Sequence, residues 1–287
     1  MSGAGFDILM GDCLEQLPKI DPGSVQTCVT SPPYWGLRDY GSEEQLGLER
    51  TPDEYVGRMV EVFRQVGRAL RDDGTLWLNL GDSYSGAGLG GGIDSQGIND
   101  SQKRAASAKR SGVRPIGPGL KPKDLVGIPW RVAFALQADG WWIRSDIIWH
   151  KPNPMPESVT DRPTKSHEYL FLLTKSARYR YDADAIREPF ADLGGRNKRS
   201  VWSIASSPYS GAHFATMPPA LVEPCIKAGS SPGDLVLDPF SGAGTVGLVA
   251  NRLGRSYVGI EINPDYAAMS TDRIVGDAPL FNRAGGG

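Results

Sequence analysis

The chain has 287 residues, 31 Lys and Arg against 33 Asp and Glu, a formal net charge of −2 and an apolar fraction of 40%. That is enough chain for one large α/β domain with insertions; no run of about 18 apolar residues offers a membrane span, and no basic-then-apolar leader opens the chain, so a cytoplasmic protein is expected. Cys13, Cys28 and Cys225 are scattered, with no C-x-x-C and no histidines at ligand spacing, which argues against a metal site or a disulfide framework, and the near-neutral charge means that any nucleic-acid affinity rests on local clustering.

Phe6 to Met10 predicts a strand, and Gly11-Asp12 turns it into a short helix. Asp12 reads either as the N-cap of that helix or as a ligand-facing acid at a strand's carboxyl end. Val25 to Val29 is a second strand, and Thr30-Ser31-Pro32-Pro33-Tyr34-Trp35 leaves its end. Two prolines remove two backbone donors and stiffen the loop, so its carbonyls are free to face a ligand. The neighbouring hydroxyl and aromatic rings suit a flat ring bearing an exocyclic amino group, the alternative being a Pro-rich turn whose aromatics cap the core. Arg38 follows, to reach a phosphate or to pair with Asp39.

Thr51-Pro52-Asp53-Glu54 carries a cap, a proline at the first helical position and an acid two residues later. Tyr55, Met59, Val62, Phe63, Val66 and Leu70 then recur at helical spacing as a core stripe, with Asp73-Gly74 ending the helix and a strand over Thr75 to Leu80. Residues 85–123 lose apolar periodicity and become a glycine-rich basic insertion, with Lys103, Arg104, Lys109, Arg110, Arg114, Lys121 and Lys123 against Asp94 and Asp100. Such a loop is either a phosphate clamp or a solvated linker.

Pro129 to Ala138 predicts a helix and Trp142 to Trp149 a strand, followed by a stiff strap from His150 to Pro156 with three alternating prolines. His150 is read as a structural or substrate-wall residue. Ser166 to Lys175 with Arg178 to Tyr181 reads as a hairpin, and His167 as one of its ordinary members. Residues 187–212 are polar and turn-rich, with Arg196, Lys198 and Arg199 beside Trp202 and Tyr209. Asp234 to Asp238 is a short strand running into Pro239-Phe240-Ser241-Gly242-Ala243-Gly244-Thr245 and a helical stretch, where glycines admit a ligand close to a helix start. A last strand ends at Glu261, 23 positions after Asp238, about where nucleotide-binding βαβ units hold a ribose with an acid. The pyrophosphate fingerprint is not cleanly present, and an acid before the loop suits a cationic nucleoside better than a diphosphate.

Ser31-Pro32-Pro33-Tyr34 and the Asp238 to Thr245 stretch together resemble the (D/N/S)PP(Y/F) and DPFxGxGT motifs of the S-adenosylmethionine-dependent DNA amino-methyltransferases. With the catalytic motif ahead of the cofactor motif, the chain resembles their permuted beta class, and the resemblance spans nearly its whole length. It implies one methyltransferase domain over 1–287: a Rossmann-like, mostly parallel sheet with an antiparallel edge hairpin and circularly permuted motif order, termini being close enough in most domains for such a cut. The strands at Phe6, Val25, Thr75 and Trp142 are expected to continue the sheet begun at Asp234 and Tyr257.

The resemblance also assigns roles. Ser31, Pro32, Pro33 and Tyr34 would be catalytic; Asp12, His213, Asp238, Pro239, Phe240, Gly242, Gly244, Thr245 and Glu261 would bind the cofactor. Arg38, Lys103, Arg104, Lys109, Arg110, Arg196, Lys198 and Arg199 would contact double-stranded DNA, residues 187–212 being the short target-recognition segment. Met217 departs from the family, which often carries Lys before the proline. Ser at the first motif position points to cytosine N4 as the methylated atom, with adenine N6 the alternative; a glutamine-amide protein substrate and an inactive DNA-binding protein are the remaining readings. A homodimer and a cognate restriction endonuclease are the other partners implied.

Overall fold

The computed structural model describes residues 5–36, 45–86, 119–190, 195–207 and 216–277. Eight strands form one sheet: β1 Phe6–Met10, β2 Val25–Thr30, β3 Leu70–Leu80, β4 Trp142–His150, β5 His167–Thr174, β6 Val201–Ser203, β7 Leu235–Asp238 and β8 Ser256–Glu261, in the order β1-β8-β7-β2-β3-β5-β4-β6. Every pairing is parallel except those of β5, which is antiparallel to β3 and to β4. The mostly parallel, Rossmann-like sheet is as expected.

Helices cover both faces, as a sheet with two apolar sides requires. α1 Cys13–Gln16, α2 Pro52–Ala69 and α3 Ile128–Ala138 pack into one core with Leu76, Leu78 and Phe171 from the sheet. α4 Pro219–Gly229, α5 Thr245–Arg252 and α6 Pro264–Asp277 pack into the other with Val29, Trp77 and Val236. α2 begins as its sequence dictates: Thr51 Oγ1 accepts from the Glu54 N–H at 3.2 Å, and Tyr55, Met59, Val62, Phe63 and Val66 are fully buried. Each such side chain stabilises the fold by about 1.5–3 kcal/mol.

Three expectations need correction. α2 stops at Ala69 rather than at Asp73-Gly74, because Leu70 turns extended and pairs with Val25; the exposed Arg71 to Asp73 then bulge out of β3 before Thr75 pairs with Thr27. Arg178 to Tyr181 is not a strand, since β3 and β4 already occupy both edges of β5; it is held instead by the Arg180 N–H on Asp73 O and by Tyr181 stacked 6.4 Å from Trp77. The strands consecutive in the chain that pair antiparallel are β4 and β5, β5 being antiparallel to β3 as well, and the sheet edge beyond β4 is β6, inside the segment read as polar and turn-rich. β1 joins the same sheet, as expected, and forms its other edge beside β8, with Ile8 paired to Gly259.

The permuted connectivity creates the site. The last two strands insert between the first two, so that Thr27 and Cys28 of β2 face Val236 and Leu237 of β7. After β2 the chain passes to the α2 face, and after β7 it passes to the α5 face. A crevice therefore opens over the carboxyl ends of these two strands, the place where open α/β sheets bind ligands.

Candidate active site

Thr30 and Asp238, the last residues of β2 and β7, are 208 positions apart in sequence and joined by a 2.6 Å hydrogen bond from Thr30 Oγ1 to Asp238 Oδ1. Their loops consequently share one cleft, into which Ser31, Pro32, Pro33 and Tyr34 project from one side and Asp238, Pro239 and Phe240 from the other. The first loop is rigidly seated. Pro33 O accepts from Tyr55 Oη at 3.0 Å, the buried Trp35 donates its indole N–H to Glu49 O at 3.0 Å, and the Gly36 N–H reaches Gly47 O. The Tyr34 ring lies against Gly81 at the end of β3, where even a methyl group would fall 2.5 Å from Cε2.

The acids expected at the cofactor end are all present at the cleft, which Asp12, Asp238 and Glu261 line together. Asp12 is the N-cap of α1, its Oδ1 accepting from the Leu14 N–H at 2.8 Å, and it lines the cleft as well. Glu261 accepts from the Gly242 N–H at 2.8 Å and from the Asn263 N–H at 2.9 Å, yet burial pushes its carboxyl above the usual range. Asp238 is more extreme. Burial pushes it up to about 7, against hydrogen bonds from Thr30 and the Phe240 N–H that favour the anion, with Glu261 adding repulsion.

Gly242 and Thr245 line the cleft; Gly244 supports it from behind, at φ +73° as the residue capping α5. A Cβ there would lie 2.3 Å from Ser270 Oγ and 3.0 Å from Ser270 Cα. Gly244→Ala is therefore expected to lower Tm by several degrees, through about 1–3 kcal/mol of overpacking and left-handed strain. Thermal melts check this, and an unchanged Tm would contradict the close approach.

Sequence reasoning missed a polar group at the far end of the cleft, composed of Asn79, Lys151 and Glu168. Lys151 Nζ donates to Glu168 Oε1 and sits 4.3 Å from the centre of the Trp149 ring. Tyr34 Oη donates to Glu168 Oε2 at 2.7 Å, with Asn79 Oδ1 3.0 Å away, and Ser31 Oγ donates to Tyr34 Oη at 3.2 Å. The available signal was a lone carboxylate, Glu168, just ahead of the Tyr169 to Leu173 apolar run. His150 and His167 stay outside this group: His150 Nδ1 is 3.1 Å from Ser203 Oγ, and His167 packs edge-on against Tyr169.

Of the basic residues expected on DNA, Arg196, Lys198 and Arg199 converge on one carboxylate, Glu188, at 3.4, 3.8 and 3.5 Å. Three cations around one anion leave a local excess of positive charge, with Lys198 also over the Trp202 ring. Lys121 and Lys123 are paired with Asp124 and Asp161. Arg38, Lys103, Arg104, Lys109, Arg110, Arg114 and His213 lie outside the described residues. Among the described residues no cluster of His, Cys, Asp or Glu is arranged to hold a metal ion, and no helix is long and apolar enough to cross a membrane.

The family model N6_N4_Mtase, a DNA methylase family, matches residues 25–272. The Type II methyltransferase M.XycI of Xanthomonas campestris pv. cyanopsidis is 56% identical over 274 residues, 95% of this chain and 88% of that protein. The fold is similar to that of the cytosine-N4-specific PvuII DNA methyltransferase, with a TM-score of 0.70 at 21% identity over 98% of this chain and 93% of that one. It is also similar to a putative DNA modification methylase of Thermus thermophilus solved with S-adenosyl-L-methionine, with a TM-score of 0.65 at 24% identity over 96% and 97% of the two chains. With its family motifs facing each other across a single cleft and a relative more than half identical along almost its full length, the chain belongs to the N6/N4 DNA methylases, which take their methyl group from S-adenosylmethionine.

Proposed function

We propose that the protein methylates cytosine N4 in double-stranded DNA, as the modification half of a restriction-modification pair. The observation that carries this reading is the Ser31-Pro32-Pro33-Tyr34 loop facing the Asp238-Pro239-Phe240 loop across one cleft. The Type II relative and the cytosine-N4-specific structural neighbour support it from outside the chain.

The cleft suits the cofactor. Asp12, Asp238 and Glu261 gather at one end, while the cation among the described lining residues, Lys151, is neutralised by Glu168. Such an end would repel a diphosphate and attract a nucleoside carrying an ammonium and a sulfonium. Asp12, Asp238, Phe240, Gly242, Thr245 and Glu261 would hold S-adenosylmethionine, which when bound supplies an electrophilic methyl group.

The chain's own task is to make an amino nitrogen nucleophilic. Its lone pair is delocalised into the base, and acceptors that draw both N–H bonds out of plane localise that pair. Ser31 Oγ and the Pro32 carbonyl are the acceptors proposed for an extruded base stacked on Tyr34. The proton leaves after transfer, so no strong base is needed beforehand. Arg196, Lys198 and Arg199, in the proposed target-recognition segment 187–212, would meet phosphates. A homodimer and a cognate endonuclease are further proposed partners.

Digestion of DNA to nucleosides after incubation with protein and S-adenosylmethionine, followed by mass spectrometry, tests the target atom. N4-methylcytosine is expected; N6-methyladenine would keep the family chemistry and overturn the base. Ser31→Ala should lower turnover by about 10²-fold while leaving cofactor affinity within about threefold, as expected for an interaction that strengthens toward the transition state.

A further inference from the structure

The polar group opposite the cofactor acids has a hydrogen-bond direction built into it. Lys151 is donor-only, an ionised Glu168 is acceptor-only, and the phenol between Glu168 and Ser31 has a single proton. Burial pushes the Glu168 carboxyl up, but Lys151 and the hydrogen bonds from Tyr34 and Asn79 outweigh it and hold the acid below its usual range. The side chains of Lys151 and Glu168 keep only 21% and 16% of their exposure, so the pair is largely withdrawn from water that could rearrange it.

The Tyr34 proton is therefore directed to Glu168, the shorter and charge-assisted of its two acceptors at 2.7 and 3.0 Å. The Tyr34 oxygen is left to accept, and it accepts from Ser31 Oγ at 3.2 Å. With its own proton so engaged, Ser31 turns lone pairs toward the cleft that it lines.

Resting on the amino-acceptor role proposed for Ser31, we infer that Glu168, clamped by Lys151, is a positioning residue that acts through Tyr34 to fix the Ser31 hydroxyl as an acceptor toward the substrate. A serine held in this sense receives an N–H from an amino-bearing base. It has no proton to offer a carbonyl at the same place, so the Lys151-Glu168-Tyr34-Ser31 chain also selects amino bases over oxo bases. Glu168 reaches this position because β5 is antiparallel: its first residues lie at the carboxyl edge of the sheet, beside Asn79 at the end of β3.

Glu168→Gln tests the inference, since an amide can donate as well as accept and the direction of the chain is lost. Steady-state turnover should fall by about 100-fold, with KM for DNA and cofactor affinity within about threefold. In a Tyr34→Phe background, where the chain is already cut, the same change should cost less than about threefold. Equal losses in the two backgrounds would mean that Glu168 merely supports the fold, and would overturn the inference. Lys151→Met/Glu168→Gln leaves no unpaired buried charge and keeps the test open if the single variant folds poorly; it should fold and remain slow, and wild-type turnover in it would also overturn the inference. Loss of turnover in Ser31→Ala with none in Glu168→Gln would remove the positioning role alone. Full turnover in both would remove the amino-acceptor reading with it.

Discussion

Asp238→Asn should produce a cofactor-free protein that is more stable at pH 8 than the wild type and binds S-adenosylmethionine at least tenfold more weakly. The wild-type carboxyl, pushed up to about 7 by burial, is protonated in the folded state under conditions where an unfolded aspartate, near 3.8, is ionised. Its contribution to stability is therefore full below about pH 3.8, falls as pH rises, and is gone once pH passes about 7. A displacement of that size corresponds to roughly 2–4 kcal/mol. Asparagine keeps an oxygen at Oδ1, which receives both the Thr30 hydroxyl at 2.6 Å and the Phe240 N–H at 3.0 Å, and has no charge to bury. Melts across pH 5 to 8 should thus show a gain of about 4–12 °C at pH 8 that shrinks toward pH 5. Titration calorimetry should show wild-type affinity for the cationic cofactor climbing through pH 7, and a flat, weak profile for the variant. A gain in Tm independent of pH, or an undiminished affinity, would mean that Asp238 is not the ionising acid of the cofactor end.

The same residue shows why part of this site could be read from the sequence and part could not. Prolines and glycines act on their own backbone, so Ser31 to Tyr34 and Asp238 to Thr245 announce two ligand-facing turns wherever they fall in the chain. That the two turns face each other depends on β7 pairing with β2, a contact across 208 positions that neither stretch encodes alone. The family resemblance supplied it. Glu168 and Lys151 were passed over because a charge at the end of a strand ordinarily faces solvent; only the antiparallel setting of β5 turns Glu168 toward Tyr34. The premature stop of α2 has the same origin. Asp73-Gly74 is a strong local stop signal, but pairing of Leu70 with Val25 claims the chain first. Local chemistry was legible in the residues, the mostly parallel sheet came with the family resemblance, and the strand order did not.

Gly81→Ala should abolish most of the activity although Gly81 itself is not among the residues proposed to meet either ligand. Gly81 follows the last residue of β3 without a left-handed φ, so its backbone accepts alanine. The added Cβ, however, would lie 2.5 Å from Tyr34 Cε2 and 2.9 Å from Cδ2. A flexible side chain would yield, but this ring has little room to do so. Its main chain follows two prolines, the Pro33 carbonyl is tied to Tyr55, and Tyr34 Oη is bonded to Glu168. The ring must tilt, and a tilt that relieves the clash lengthens the 2.7 Å bond to Glu168 and displaces the surface proposed to stack the base. Turnover should fall by about 10²–10³-fold, because misplacement by an ångström is enough to lose that much. Overpacking of about 1–3 kcal/mol should lower Tm by roughly 2–12 °C. Cofactor affinity should stay within about threefold, since the acids that would hold it lie across the cleft. Single-turnover methylation with calorimetry separates these effects. In a Tyr34→Ala background, where the methyl group has space, Gly81→Ala should cost nothing further; a loss of equal size there would show that Gly81 serves β3 and not the tyrosine.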